Sequence, residues 1–98
     1  MKKINWGIIG LGKIALQFAN GFQYSNKAEL KGIASKNLKK LEKFKINFQI
    51  DERYCFNNYE DLLQCKEIDA IYIALPNSLH HEWIVRCIEN NKKILVEK

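Results

Sequence analysis

Long apolar segments are missing from this 98-residue chain, whose longest hydrophobic run falls far short of the ~20 residues that span a bilayer. No signal peptide is predicted either, because Gly7, Gly10 and Gly12 interrupt the apolar stretch that follows Met1-Lys2-Lys3. Repeats, linkers and low-complexity stretches are also missing. These absences predict one small globular domain in the cytoplasm, with no membrane partner.

Cysteine and histidine are scarce, which limits the metal and redox chemistry that can be expected. The three cysteines, Cys55, Cys65 and Cys87, have neither metal-ligand nor redox spacing, and we interpret them as buried free thiols in a reducing compartment. The two histidines are adjacent, as His80-His81. Neighbouring residues of a helix point in different directions and chelate poorly as a pair, so no metal site is predicted.

Acidic residues are fewer than basic ones, and the formal net charge is +5. Five lysines fall within ten residues, opposed only by Glu42: Lys36, Lys39, Lys40, Lys43 and Lys45. Nucleic-acid binding would need motif or aromatic support, but Phe44 and Phe48 have the spacing of a buried helix face, so no nucleic-acid partner is predicted. We interpret the lysines as a solvated helix face. An alternative is that the first of them help to hold an anionic cofactor.

The chain does contain an apolar strand that runs directly into a glycine-rich turn and a helix, over residues 4–15. In this G-x-G-x-x-A pattern, Gly10 allows the tight turn, Gly12 lets the backbone approach a pyrophosphate, and Ala15 lets the helix pack closely on the sheet. Phosphates would then lie on free N–H groups at the positive end of the helix dipole. The alternative is an ordinary turn that binds nothing, because tight turns need glycine for steric reasons alone.

The remaining sequence alternates strands and helices with short connections. We predict strands over 4–10, 30–34, 53–56, 68–75 and 93–97. We predict helices over 13–23, 38–47 and 79–90 and a small helix that starts at 59–63, with Asn37 and Asn58 as caps and Ser78 at the start of the last helix. The residues predicted to face the core of the long helices are Ile14, Phe18 and Phe22; Leu38, Leu41, Phe44 and Phe48; and Ile84, Cys87 and Ile88.

Repeated βα units of this kind predict an α/β fold, a doubly wound parallel sheet of about five strands with helices on both faces. In the strand order 3-2-1-4-5-6, the fifth strand would be an apolar edge, which natural proteins usually avoid. The sequence therefore predicts either a piece of a longer protein or a homo-oligomer that assembles through the fifth strand.

At this point the residues resemble a known family, the glucose–fructose oxidoreductase / inositol 2-dehydrogenase family of NAD(P)-dependent oxidoreductases. The matching blocks are 7–15, 33–36, 59–63, 69–80 and the closing Glu97-Lys98, in the family's order. The resemblance implies that residues 1–98 form the Rossmann-like dinucleotide-binding domain. It also implies that the sequence is truncated before the α+β domain that carries the substrate-facing sheet.

The resemblance implies a role for each matching position in the cofactor site. Residues expected to cradle the pyrophosphate are Gly10, Gly12, Lys13, Ile14 and Ala15. Ser35 and Lys36 are expected beside the adenosine ribose, where NAD-preferring members of the family tend to carry an acid. Because a carboxylate repels a 2′-phosphate whereas serine and lysine accept it, NADP is favoured over NAD. The alternative for Lys36 is a solvated lysine at the start of a helix.

Two further segments are expected near the reactive half of the cofactor. Leu75, Pro76, Asn77 and His80 match the loop after the fourth strand, which in the family lies near the nicotinamide. Glu97 and Lys98 match the first two residues of the family's Glu-Lys-Pro motif, and the resemblance makes Lys98 the catalytic residue. Its ammonium would polarise a carbonyl or shuttle a proton at the substrate oxygen. With a free carboxylate beside it, Lys98 in this chain is expected to be a frayed terminal residue.

The predicted function is that of the cofactor half of an oxidoreductase that transfers a hydride between nicotinamide and a sugar, cyclitol or similar polyol-like substrate. The substrate would bind only in a longer protein, so this chain alone is expected to be inactive. An alternative from another class is a non-catalytic NAD(P)-binding or interaction module that pairs through its fifth strand. A methyltransferase-type domain is disfavoured, because no acidic residue precedes Gly10 in the first strand.

Overall fold

The computed structural model describes residues 3–24 and 26–96. Five strands are present in this part of the chain: β1 (Ile4–Ile9), β2 (Ala28–Ala34), β3 (Cys55–Phe56), β4 (Ala70–Ile73) and β5 (Lys93–Val96). They alternate with four α-helices: α1 (Lys13–Asn20), α2 (Leu38–Phe48), α3 (Tyr59–Leu63) and α4 (His80–Glu89). Short 3-10 turns cover Gly21–Tyr24, Glu52–Tyr54 and Asn77–Leu79. No helix in the described residues is long and apolar enough to cross a membrane.

The strands form one parallel sheet in the order β3-β2-β1-β4-β5. Successive residues of β1 point to opposite faces, as they must in a strand. Ile8 packs with Ala15 of α1 and Phe44 of α2, whereas Ile9 packs with Leu62 of α3 and Cys87 of α4. The sheet therefore has helices on both faces, and the predicted Rossmann-like architecture is confirmed.

The orientation of α1 differs from the predicted one. Ala15 and Ala19 face the sheet and are almost completely buried, whereas Ile14 is 46% exposed. The predicted burial of Ile14 is wrong because the small alanine side chains let the helix lie close to the sheet, which turns Ile14 outward. Phe18 is half-buried and stacks on the ring of Tyr72 at a centroid distance of 3.8 Å. The α-helix also ends at Asn20, earlier than predicted.

Helices α2 and α4 begin and end within one residue of the predicted bounds, and most of their predicted core residues pack inward, with one exception in each helix. Asn37 caps α2 as predicted, with its side chain accepting a hydrogen bond from the backbone N–H of Lys40. Leu38, however, is 65% exposed, so its predicted burial is wrong. In α4, Cys87 is buried as predicted and Ile88 is 62% exposed. Trp83, one turn before Cys87, is buried in place of Ile88.

The three thiols are free, and they differ in burial. Burial raises the pKa of Cys87 to about 11, and it also raises the pKa of the half-buried Cys55 and Cys65. Because the thiolate is the reactive form, we expect iodoacetamide at pH 8 to modify Cys55 and Cys65 well before Cys87 in the folded chain. Peptide mass spectrometry over time checks this, and in urea the three rates should converge. Equal rates in the folded chain would contradict the buried position of Cys87.

Candidate functional site

A cleft of about 540 Å³ opens at the carboxyl ends of three neighbouring strands. Its walls come from the segments that follow β1, β2 and β4, together with one residue from the start of α3. Two backbone hydrogen bonds continue the sheet to its rim: Gly10 N–H donates to the Ala34 carbonyl at 3.1 Å, and Ala74 N–H donates to the Ile9 carbonyl at 3.0 Å. The cleft therefore lies where parallel α/β sheets bind their ligands, at the point where the strand order reverses.

The presence of glycine has a different explanation at each of the two positions of the turn after β1. Gly10 has a φ of +87°, and a Cβ there would lie 2.7 Å from the carbonyl oxygen of Ala74. Gly10 is therefore required by the fold itself. Gly12 has a φ of −91°, and a Cβ there would have no protein atom within 4 Å. Because the fold does not require a glycine at this position, its missing side chain leaves room for a molecule in the cleft.

The amino end of α1 faces this open space, and no side chain of the described residues caps its first N–H groups. Gly12 is the N-cap residue and, having no side chain, caps none of the first N–H groups of the helix. The Gly12 carbonyl already accepts from Leu16 N–H at 3.2 Å. By contrast, the Asn37 side chain caps the amino end of α2. The helix dipole and free N–H groups of α1 thus form a site for an anion next to the open side of Gly12.

The segment after β2 supplies cations and a hydroxyl. Ser35 is 5% exposed, and its Oγ accepts a hydrogen bond from Asn37 N–H at 3.1 Å. The Lys36 ammonium lies 5.3 Å from the ring centre of Tyr59, and burial raises the pKa of this tyrosine. Lys40 also lines the cleft. No acidic side chain lines the cleft in the part of the chain that the structure describes, so its electrostatic field favours anions.

The segment after β4 closes the opposite wall. Leu75 and Pro76 line the cleft. His80 Nε2–H donates to the carbonyl oxygen of Leu75 at 2.6 Å, which fixes the loop to the first turn of α4. Asn77 is exposed, and neither Asn77 nor His80 is among the lining residues. His80 therefore lies outside the cleft lining and is joined to it through the Leu75 carbonyl.

The other residues predicted for the cofactor site differ in their position relative to the cleft. Gly10, Gly12, Lys13 and Ile14 line the cleft, and Ala15 lies fully buried beneath it against the sheet. The predictions for Glu97 and Lys98 lie outside the described residues. Within the described ranges, no group of three or more His, Cys, Asp or Glu side chains could hold a metal ion.

Sequence reasoning did not assign several residues that line the cleft: Leu11, Asn37, Lys40, Tyr59 and Ala74. Lys40 belongs to the lysine cluster described above, so its charge was a signal for anion binding. Only the fold shows that it lies on the cleft side of α2. Tyr59 had no comparable signal. It reaches the site because the segment before α3 returns along the edge of the sheet beside β2.

Comparison with known families agrees with this geometry. The profile of the family described as "Oxidoreductase family, NAD-binding Rossmann fold" matches residues 4–98. The chain belongs to this Gfo/Idh/MocA oxidoreductase family. It is therefore an NAD(P)-binding Rossmann domain, and the predicted resemblance is confirmed.

Relatives of the family domain include proteins with and without an assigned reaction. An uncharacterized oxidoreductase from Rhizobium meliloti is 35% identical over 99 aligned positions, which cover 100% of this chain and 29% of that protein. A trans-1,2-dihydrobenzene-1,2-diol dehydrogenase from Xenopus tropicalis is 32% identical over 95% of this chain and 28% of that protein. This chain thus spans less than a third of the length of these relatives.

Solved structures share the fold closely. The 3-ketoreductase KijD10 from Actinomadura kijaniata, in complex with NADP, has a TM-score of 0.89 and 32% identity over 99% of this chain and 30% of that one. Apo scyllo-inositol dehydrogenase from Lactobacillus casei has a TM-score of 0.90 and 28% identity over 99% of this chain and 28% of that one. The family's dinucleotide fits the residues found here, since the cleft combines an open approach at Gly12, an uncapped helix and lysine side chains.

Proposed function

We propose that this chain binds NADP in preference to NAD and forms the cofactor half of an oxidoreductase that acts on a sugar or a polyol-like compound. The observation that carries the proposal is the open space above Gly12, next to the uncapped amino end of α1. A pyrophosphate placed there would accept hydrogen bonds from the first N–H groups of the helix, those of Lys13 and Ile14. The positive end of the helix dipole stabilises its charge.

The preference for NADP follows from the charges at the end of β2. Lys36 and Lys40 both line the cleft there, Ser35 lies between the strand and α2, and no acid is among the described lining residues. A 2′-phosphate on the adenosine ribose would gain two cations, whereas the free hydroxyl of NAD would find no carboxylate to accept its hydrogen bond. That the KijD10 structure contains NADP supports this assignment.

The chemistry is supplied by the nicotinamide, which accepts or gives a hydride when bound. This chain would bind and orient the dinucleotide, with Leu75 and Pro76 forming the wall expected beside its nicotinamide half. Lys98 would donate a hydrogen bond or a proton to the substrate oxygen in a longer protein. We infer sugar or polyol-like substrates because relatives include an inositol dehydrogenase and a 3-ketoreductase. The isolated chain is proposed to bind cofactor without turnover.

Calorimetric titration of the 98-residue chain with NADP and then with NAD, at low and moderate salt, tests the proposal. We expect saturable binding of both, tighter for NADP, with the difference shrinking as salt rises because a charge–charge interaction is screened. Circular dichroism on the same sample establishes that the chain is folded. A folded chain that binds neither dinucleotide would overturn the proposed function.

A further inference from the structure

A second groove lies on the outer side of the glycine turn, between α1 and α2, with a volume of about 340 Å³. Its walls are formed by Lys13 and Leu16 of α1 and by Lys40, Lys43, Phe44 and Asn47 of α2. Lys43, Phe44 and Asn47 do not line the dinucleotide cleft. The two cavities share Leu11, Gly12, Lys13 and Lys40 and differ in their remaining walls, so they lie side by side.

The groove concentrates positive charge that the protein does not neutralise. Within residues 3–24 and 26–96, the ammonium groups of Lys13, Lys40 and Lys43 form no ion pair, and no acid lines the groove. Glu42, the acidic residue of α2, is paired with Lys45 at 3.3 Å. Lys40 and Lys43 are three residues apart on one helix face, where like charges repel. An anion in the groove would relieve that repulsion.

The floor of the groove is apolar. Leu11 and Phe44 lie at its base and are 7% and 6% exposed, and the Leu16 side chain forms part of the wall with 39% of its surface exposed. The Asn47 amide adds one neutral polar group at the far end. A fully hydrated inorganic ion would gain nothing from this apolar surface, whereas an apolar body attached to an anionic head would bury the exposed part of Leu16.

We propose that this groove binds a small anion with an apolar body, of the class of aryl or short-chain acyl carboxylates, sulfonates and phosphate monoesters. The head group lies among Lys13, Lys40 and Lys43, and the apolar body lies on the exposed side of Leu16. Because Lys13 and Lys40 also line the dinucleotide cleft, the bound anion weakens dinucleotide binding, and the effect is reciprocal. Only this coupling rests on the proposed function; binding in the groove does not depend on it.

Fluorescence titration of the folded chain with 8-anilinonaphthalene-1-sulfonate tests the groove, since this probe joins a sulfonate to an aromatic body. We expect saturable binding that Lys43→Gln weakens about 10-fold, the size of one charge-assisted hydrogen bond. Lys39→Gln is the matched control, because Lys39 is exposed on the same helix and lines neither cavity. The uncharged N-phenyl-1-naphthylamine should bind far more weakly than the sulfonate.

Leu16→Ala provides a second, independent variant. It removes part of the apolar wall without touching a charge, and we expect it to weaken the probe severalfold while leaving NADP binding unchanged. In the native chain, saturating probe should raise the apparent Kd for NADP. That coupling should disappear in Lys43→Gln, which should bind NADP as the native chain does when no probe is present.

The proposed anion site would be refuted if the sulfonate bound the native, Lys43→Gln and Lys39→Gln chains equally. It would also be refuted if the neutral probe bound as tightly as the sulfonate. Absence of saturable probe binding to a folded chain would overturn it as well. A chain that binds the probe in this Lys43-dependent way but binds neither dinucleotide would contradict only the proposed function. The two proposals therefore fail in distinguishable ways.

Discussion

Replacing Gly12 with valine should weaken binding of both dinucleotides by at least about 100-fold, which corresponds to roughly 3 kcal/mol. The reason is steric, because the Cβ at this position enters the open part of the cleft beside the first N–H groups of α1. Stability should change little, since the same Cβ meets no protein atom within 4 Å and φ is −91°. Calorimetric titration and thermal unfolding of the same preparations measure the two quantities.

Two other glycines supply the controls. Gly21→Val introduces the same side chain at another open position, since a Cβ there also meets nothing within 4 Å, but Gly21 follows α1 at the end remote from the cleft. It should leave dinucleotide binding unchanged. Gly10→Val should instead destabilise the fold by about 3 kcal/mol, because a β-branched residue is strained at φ +87° and clashes with the Ala74 carbonyl.

Unchanged affinity in folded Gly12→Val would show that the pyrophosphate does not lie where we place it. A large loss of stability in Gly12→Val, similar to that of Gly10→Val, would be equally informative. It would mean that both glycines serve the fold, and that the turn carries no specific indication of a ligand. The glycine pattern therefore indicates a ligand only if Gly10 serves the fold and Gly12 serves binding.

Local signals account for what the sequence predicted well. Asn37 and Asn58 cap α2 and α3 through hydrogen bonds to backbone N–H groups three residues ahead, so residues close in sequence determine where these helices begin. The glycine turn is also local, and its strand–turn–helix context follows from residues 4–15 alone. The same holds for β4, which is a continuous apolar run because it is buried on both faces of the sheet.

Helix orientation and the composition of the cleft were less predictable because both depend on distant parts of the chain. Helical spacing identifies an apolar stripe but does not say which part of it touches the sheet. At α1 the closest approach is made by Ala15 and Ala19, which carry little hydrophobic signal, and Ile14 turns outward. Tyr59 and Lys40 line one cleft only because the amino ends of α3 and α2, on opposite faces of the sheet, both lie beside the end of β2.

Charge reversal of both Lys36 and Lys40 to glutamate should shift the preference from NADP to NAD. At an effective dielectric constant of about 20 and a separation of about 5 Å, each unit charge contributes roughly 3 kcal/mol, before screening by solvent. We therefore expect NADP affinity to fall at least about 100-fold and NAD affinity to change less than about 3-fold. Titration with both dinucleotides at fixed ionic strength measures the ratio.

The structure indicates that this double variant should fold. Lys36 is exposed, and Lys40 lies three residues after the Asn37 cap, where glutamate is favoured at the start of a helix. Lys39→Glu, which makes the same change at an exposed residue outside the cleft, should alter both affinities only slightly and to the same extent. If the double variant instead lost affinity for NADP and NAD equally, Lys36 and Lys40 would contact the pyrophosphate that the two dinucleotides share. The lysines after β2 would then not explain a preference for the 2′-phosphate.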